Sequence, residues 1–139
     1  MAVLPWGILE SGILTGKFLD KIDGSTRIDP KKLHLTEKQI KIVLEIEKIA
    51  DEVDRSMAQV AINWVRQQQH KAQIIPILGA RTEAQLQDNL GVLEWSLTAE
   101  QISRLDEVSQ IDLGFPQSVV AGNPYLFGAT FDKIDNHRK

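Results

Sequence analysis

The sequence predicts an α/β fold with two parallel strands, about four main helices and an irregular tail. Three observations carry this. The run Ile74-Ile75-Pro76-Ile77-Leu78 is rich in β-branched residues and stops at Gly79, after which Thr82 opens a helix with Leu86, Leu90 and Leu93 on one side. Residues 2–9, AVLPWGIL, read as a second strand, buried and almost wholly apolar. Between the two lies a pair of helical segments, a crossover long enough for parallel pairing with a right-handed connection.

Taken in order, residues 1–35 hold the first strand and a loop. Glu10-Ser11-Gly12 turns the chain, Ile13-Leu14-Thr15-Gly16-Lys17-Phe18 adds a short apolar stretch, and a polar, irregular segment containing Arg27 follows. Gly12 and Gly16 suggest a backbone that runs close to something, although GILTG is not the dinucleotide-binding glycine pattern. Residues 36–73 form the helical crossover. Thr36 with Gln39 has capping-box spacing ahead of the face Ile40, Val43, Leu44, Ile46, Ile49, Ala50 and Val53. Ser56 with Gln59 makes the next box, before Val60, Ala61, Trp64 and Val65 and the polar run 66–70. Residues 74–110 supply the second strand, the helix capped by Thr82 with Gln85, and a helix boxed by Thr98 and Gln101 that carries Ile102, Leu105 and Val108. Residues 111–139 show no sustained period and read as a tail packed by Phe115, Tyr125, Phe127 and Phe131.

Composition narrows the function classes. The 139 residues make one domain with room for a core, 42 % of them hydrophobic and 25 % charged, as in a soluble globular protein. A net charge of −3 offers no basic stripe for nucleic acid. The chain has no cysteine, which removes disulfides, thiolate catalysis and thiolate metal sites. No apolar stretch reaches the ~20 residues of a membrane span and no signal-peptide pattern opens the chain, so a cytoplasmic location is expected by default. His34, His70 and His137 lack metal-ligand spacing and read as surface histidines, so no metal site is expected. The strand-to-helix junction is the one place where chemistry suggests a ligand. Free amides and the positive end of a helix dipole meet there, and Arg81 adds a charge that suits a phosphate; an ordinary loop with a solvated arginine is the other reading.

Two strands cannot close a sheet, and their edges would offer unpaired N–H and C=O groups. Either another chain completes the sheet, a second copy included, or the tail and N-terminus cover it. The sequence looks like a piece of something larger.

Four segments make that specific: LPWGILESGILTGKF, AQVAINWVRQQ, IIPILGARTEAQLQDNLGVLEWSLTAEQISRLDEVS and LGFP. Together they resemble the C-terminal part of an aldo-keto reductase over essentially the whole chain. The resemblance implies a C-terminal fragment of an (α/β)8 TIM barrel, comprising its last two strands, their helices and the tail. It implies NADPH at the C-terminal ends of the strands. Trp6, Gly7, Leu9 and Ser11 fall on the family's W-S-P-L-x-x-G, which lies along the cofactor's ribose and pyrophosphate. Gly7 stands for the usual serine, Ile8 for the usual proline, and Glu10 brings a carboxylate toward the pyrophosphate. Lys17 and Arg27 fall on cofactor-facing positions of some branches. Gly79, Arg81, Gln85, Asp88 and Asn89 fall on the adenosine end, with Arg81 toward a 2′-phosphate, Gln85 and Asn89 on adenine edges and Asp88 on the adenine amino group. The family's proton-donating tyrosine, with its lysine and aspartate, belongs to earlier strands. None of the catalytic residues is placed in this chain, whose only tyrosine, Tyr125, reads as a packing residue.

Two classes of function follow. One is an aldo-keto-reductase-like oxidoreductase fragment carrying the NADPH adenosine and pyrophosphate half but inactive alone. The other is a non-catalytic nucleotide-binding or protein-interaction module derived from that fold.

Overall fold

The computed structural model describes residues 2–18, 34–70 and 72–120. Arg27, Tyr125, Phe127, Phe131 and His137, which the sequence reading singled out, lie outside them. By its internal contacts the chain divides into two units, Met1–Ser109 and Gln110–Lys139.

In the first unit the elements run β1 (Ala2–Val3), α1 (Glu37–Val53), α2 (Met57–Arg66), β2 (Gln73–Ile74), α3 (Glu83–Leu90) and α4 (Ala99–Ser109). Short 3-10 segments stand at Glu10–Thr15, Gln68–His70 and Gly91–Leu93. The strands pair in parallel, Ala2 with Gln73 and Val3 with Ile74. Hydrogen bonds from Ile75 N to Val3 O and from Ile77 N to Pro5 O, each 3.0 Å, carry the pairing beyond the regular strand residues. This is an α/β arrangement with an open, uncurled sheet, a partial barrel-like structure. The expected strand over 2–9 is therefore too long. Pro5 has no N–H to donate, and Gly7 takes φ +73°, which ends the extended run.

Nor are the strands covered on both faces. Along the second run exposure alternates, with Gln73, Ile75 and Ile77 exposed and Ile74, Pro76 and Leu78 half-buried. Register places Leu4 beside Ile75 and Trp6 beside Ile77 on the exposed face. Those four apolar side chains are 57 %, 46 %, 83 % and 45 % exposed in that order. The face bearing these four side chains lies open.

The core sits among the helices. Ile46, Ile49 and Ala50 of α1, Val60 and Ala61 of α2, and Leu97 and Leu105 form one buried cluster, with Trp64, Trp95 and Ile102 packed around it. The boxes at Thr36 and Thr98 are reciprocal: Gln39 N and Gln101 N each donate to the capping hydroxyl at 3.2 Å, and each glutamine oxygen accepts from the cap's own N–H. Ser56 and Thr82 cap in one direction only, because their partner glutamines are used elsewhere. The polar run after α2 is likewise absorbed. Gln67 spans to both backbone groups of Leu97, at 2.8 and 3.0 Å, and Gln68 is buried.

The leucines that the sequence places on one side of the helix after Thr82 do not seat it. Leu86, Leu90 and Leu93 are 47 %, 50 % and 71 % exposed, and the helix is seated instead through Asp88 and Asn89. Polar partners on α2, described below, out-compete a hydrophobic seat.

Arg104 of α4 clamps α1. Its Nε donates to Glu45 at 2.7 Å and its Nη1 to both oxygens of Glu52 at 2.8 and 2.9 Å. That hydrogen bonding holds the Glu52 carboxyl below the usual glutamate range against a smaller opposing effect of desolvation, with help from Gln101 and from the Arg104 charge. A carboxylate whose pKa is depressed by folding stabilises the fold above its unfolded value and loses that contribution as pH falls through the folded one. Arg104→Ala should thus lower the melting temperature at pH 7, and the gap to the parent should begin to narrow near the free glutamate value, about pH 4, and close as pH falls through the lower folded one. Melting curves for the two proteins across that range test it; a gap that stays constant into acid would contradict the clamp.

In the second unit the described residues are 110–120, with a single helical turn α5 (Gln117–Val120) started by a Val119 N to Pro116 O bond of 3.0 Å. Phe115, expected to pack the tail, is 83 % exposed. Among the described residues no helix is long and apolar enough to cross a membrane.

Candidate functional site

Parallel pairing has a local consequence. It delivers the chain after β1 and the chain after β2 to the same end of the sheet, the Ile77 N to Pro5 O bond being the last tie before both depart. The first loop is sharply coiled. Glu10, Ser11 and Gly12 stand consecutively at φ +46°, +55° and +94°, in the left-handed region that non-glycine residues occupy at a cost. Bonds of 2.8 Å from Glu10 N to Gly7 O and from Gly12 N to Leu9 O hold the coil, and Thr15 Oγ1 closes on Gly12 O at 2.8 Å. The Leu9 side chain packs toward the core, while its carbonyl accepts within the loop from Gly12 N. Ser11 is exposed. Gly7 is at home at its positive φ, where the serine of the resembled pattern would be strained.

The Glu10 carboxylate accepts from Gln39 Nε2 at 2.7 Å and so ties the loop to the start of α1 through a bond between a charged acceptor and the capping glutamine.

Lys17 returns over this coil. Its ammonium lies against Gly12, where a Cβ would collide with it, and 5.2 Å from the Phe18 ring centroid. Partial burial and then the charge of Arg81 push Lys17 below the usual lysine value. Two cations from two different loops thus feel one another across the end of the sheet.

The second loop runs Gly79-Ala80-Arg81-Thr82 into α3, all four exposed. Thr82 Oγ1 accepts from Gln85 N at 3.2 Å, and Gln85 Oε1 accepts from Arg81 N at 2.9 Å. This reaches one residue further back than a capping box and fixes the arginine's backbone to the first turn of the helix. Asp88 points the other way: its Oδ2 accepts from Ser56 Oγ at 2.7 Å and its Oδ1 from Gln59 Nε2 at 2.8 Å. Asn89 is 4 % exposed.

Gln59 is the centre of that contact. Besides Asp88 it binds Trp95 Nε1 through its Oε1 at 2.9 Å, and Gly91 lies against its amide so closely that an added Cβ would come within 2.7 Å of Nε2. A polar cleft of about 470 Å³ opens beside this network, lined by Ala50, Asp51, Asp54, Arg55, Ser56, Gln59 and Asp88.

The parallel pairing sets the run that carries Trp6, Gly7, Leu9, Ser11 and Lys17 and the loop that carries Gly79 and Arg81 at one end of the sheet, with Gln85 in the first turn of α3, and Lys17 there feels the charge of Arg81. The structure turns Asp88 and Asn89 toward the helices. Sequence reasoning missed Gln59 and Trp95. Ser56 with Gln59 carries a visible capping signal, but nothing in it says that the glutamine side chain crosses to another helix. Among the described residues no cluster of three His, Asp or Glu could hold a metal ion.

Comparison with known proteins gives a consistent picture. The family profile described as "Aldo/keto reductase family" matches residues 1–110. A Saccharomyces cerevisiae protein provisionally named as an aryl-alcohol dehydrogenase is 30 % identical over 129 residues, covering 89 % of this chain and 34 % of its own. An aryl-alcohol dehydrogenase of Pestalotiopsis microspora is 32 % identical over 117 residues, covering 84 % of this chain and 29 % of its own. An uncharacterized oxidoreductase of Bacillus subtilis is 34 % identical over 111 residues, covering 78 % of this chain and 32 % of its own. The chain spans about a third of the length of each.

Proposed function

Because the chain belongs to the aldo/keto reductase family, we propose that it is the C-terminal portion of such an oxidoreductase fold, carrying the adenosine and pyrophosphate half of an NADPH site. The hydride and proton-transfer residues lie outside these 139 residues on this reading, and the portion is inactive alone. The observation that supports it best is the parallel ladder, which sets the Lys17 loop and the Arg81 loop at one end of the sheet. An anion between the two cations would relieve their mutual repulsion, and Arg81 stands at a helix N-terminus where amides and dipole also favour negative charge. Trp6, 83 % exposed beside the same loop, offers a ring for a ribose or base to lie on. Gly7, Leu9, Ser11 and Gly79 give that surface its backbone shape, and Arg27 is proposed on the resemblance alone.

Half a site binds weakly, since the ordering cost stays while contacts are lost. Affinity is expected in the high-micromolar to millimolar range, roughly −4 to −6 kcal/mol. Adenosine 2′,5′-bisphosphate should bind more tightly than AMP, and Arg81→Ala should erase the difference. Calorimetry of both ligands on both proteins decides; equal affinities in the parent would show a family sequence without a family site.

We propose that the open edges of the two-stranded sheet are paired by further strands, from a second copy of the chain or from another polypeptide. Neither nucleic acid nor a membrane is a proposed partner, and a cytoplasmic setting suits the cofactor. Exposed apolar side chains on an open-edged sheet also suit the alternative reading, a non-catalytic interaction or nucleotide-binding module.

A further inference from the structure

We infer that Gln59 of α2, which lies on neither of the two site loops, is a positioning residue that sets Arg81 for a phosphate. This rests on the NADPH-type reading above and goes beyond it, because it gives a role at that site to a side chain on another element.

The strand does little to hold Arg81. The last ladder bond, Ile77 N to Pro5 O, lies four residues earlier, and a Cβ added at Gly79 would meet nothing within 4 Å. Residues 79–82 are all exposed. The backbone of Arg81 is fastened instead to the first turn of α3, where Gln85 Oε1 accepts its N–H at 2.9 Å. Where α3 goes, that backbone follows.

α3 in turn takes its place from α2. Asp88, almost one turn beyond Gln85, accepts from Ser56 Oγ at 2.7 Å and from Gln59 Nε2 at 2.8 Å. Gln59 also reaches past the end of the helix, its Oε1 accepting from Trp95 Nε1 at 2.9 Å. It is 7 % exposed, both of its polar atoms are engaged, and Gly91 closes on its amide. A buried contact of this kind is satisfied in one arrangement, so it fixes the direction in which α3 presents its N-terminal end and Arg81. The cleft beside Gln59 draws no lining residue from 6–17 or 79–82.

The test is calorimetry of adenosine 2′,5′-bisphosphate and AMP, at about pH 8 where carboxyls are ionised, on the full 139-residue chain and its variants. Both ligands carry the same base, and partial unfolding weakens both alike, so the ratio of the two affinities isolates the setting of Arg81. The parent should prefer the bisphosphate about tenfold, the worth of one hydrogen bond to a charged group. Gln59→Glu sets a second carboxylate against Asp88 and should cut the ratio to about twofold or less. Adding Asp88→Asn exchanges carboxylate and amide across the same contact and should restore about fivefold or more. Gly91→Ala removes no polar group but brings a Cβ within 2.7 Å of the Gln59 amide, and it should also lower the ratio. A ratio of parent size in folded Gln59→Glu or Gly91→Ala would overturn the inference while leaving the nucleotide site standing. A double variant no better than Gln59→Glu would do the same. A parent that binds the two ligands equally would overturn the inference and the nucleotide reading together.

Discussion

Ile49→Ala is expected to remove about 2–5 kcal/mol of stability, the usual range for truncating a buried isoleucine to alanine. Ile49 has no exposed surface and sits where α1 meets α2 and α4, among Ile46, Ala50, Val60, Ala61, Leu97 and Leu105. Those neighbours belong to capped and cross-tied helices. Arg104 fastens α4 to α1, and Gln67 fastens the end of α2 to Leu97, two residues before α4. Elements held in this way relax little into a void, which puts the loss toward the upper part of the range. Small domains have roughly 5–15 kcal/mol in all, so the variant should lose a large share of its stability. Lys41→Ala, an exposed position on the same helix, should stay within about 0.5 kcal/mol. Chemical denaturation of the three proteins checks this, and a variant at Ile49 as stable as the Lys41 control would mean that the helices do not share a core.

The second large effect is on chemistry. The 139-residue polypeptide alone should show no aldehyde-dependent oxidation of NADPH above a mock purification. The resemblance assigns proton donation to a tyrosine on strands these residues do not include, and loss of a general acid alone removes about 10²–10⁴-fold before hydride positioning is counted. Among the described residues, His34 and His70 are both exposed, and neither stands in a hydrogen-bonded pair of the kind that activates an acid. A rate that scales with this polypeptide and survives removal of host reductases would contradict the proposal. Light scattering on the same sample tests the open sheet edge. A mass above that of the 15.6 kDa monomer is expected where a second copy meets it.

How much of this was legible beforehand differs by element. The helices α1 to α4 were readable because each is announced twice, by a cap and by a period; Thr36 with Gln39 and Thr98 with Gln101 close as their spacing suggests. The strands were readable as a parallel pair but not in extent. A run such as AVLPWGIL says that its residues are apolar, not that Gly7 leaves the extended region or that one face is open. The site divides in the same way. That the Gly79–Thr82 loop leads into a capped helix follows from local chemistry, and the structure has it so. Lys17 within electrical reach of Arg81 is a relation across 64 residues that depends on the register of two strands, and no local pattern encodes it. The seat of α3 was misread because Leu86, Leu90 and Leu93 repeat at helical spacing. Periodicity identifies the stripe, while the opposite, polar stripe found partners on α2 first.

That polar seat behaves differently from an oily one. Two greasy helices can slip or roll against each other and lose little, since one methyl replaces another. Ser56, Gln59, Asp88 and Trp95 instead engage like gear teeth, with each donor answering one acceptor and Gly91 leaving no slack against Gln59. A rotation of α3 by one residue would release both Asp88 bonds at once. The leucine ridge on the helix's outer side therefore keeps a single bearing in the solitary chain, and whatever surface meets it finds the angle already set.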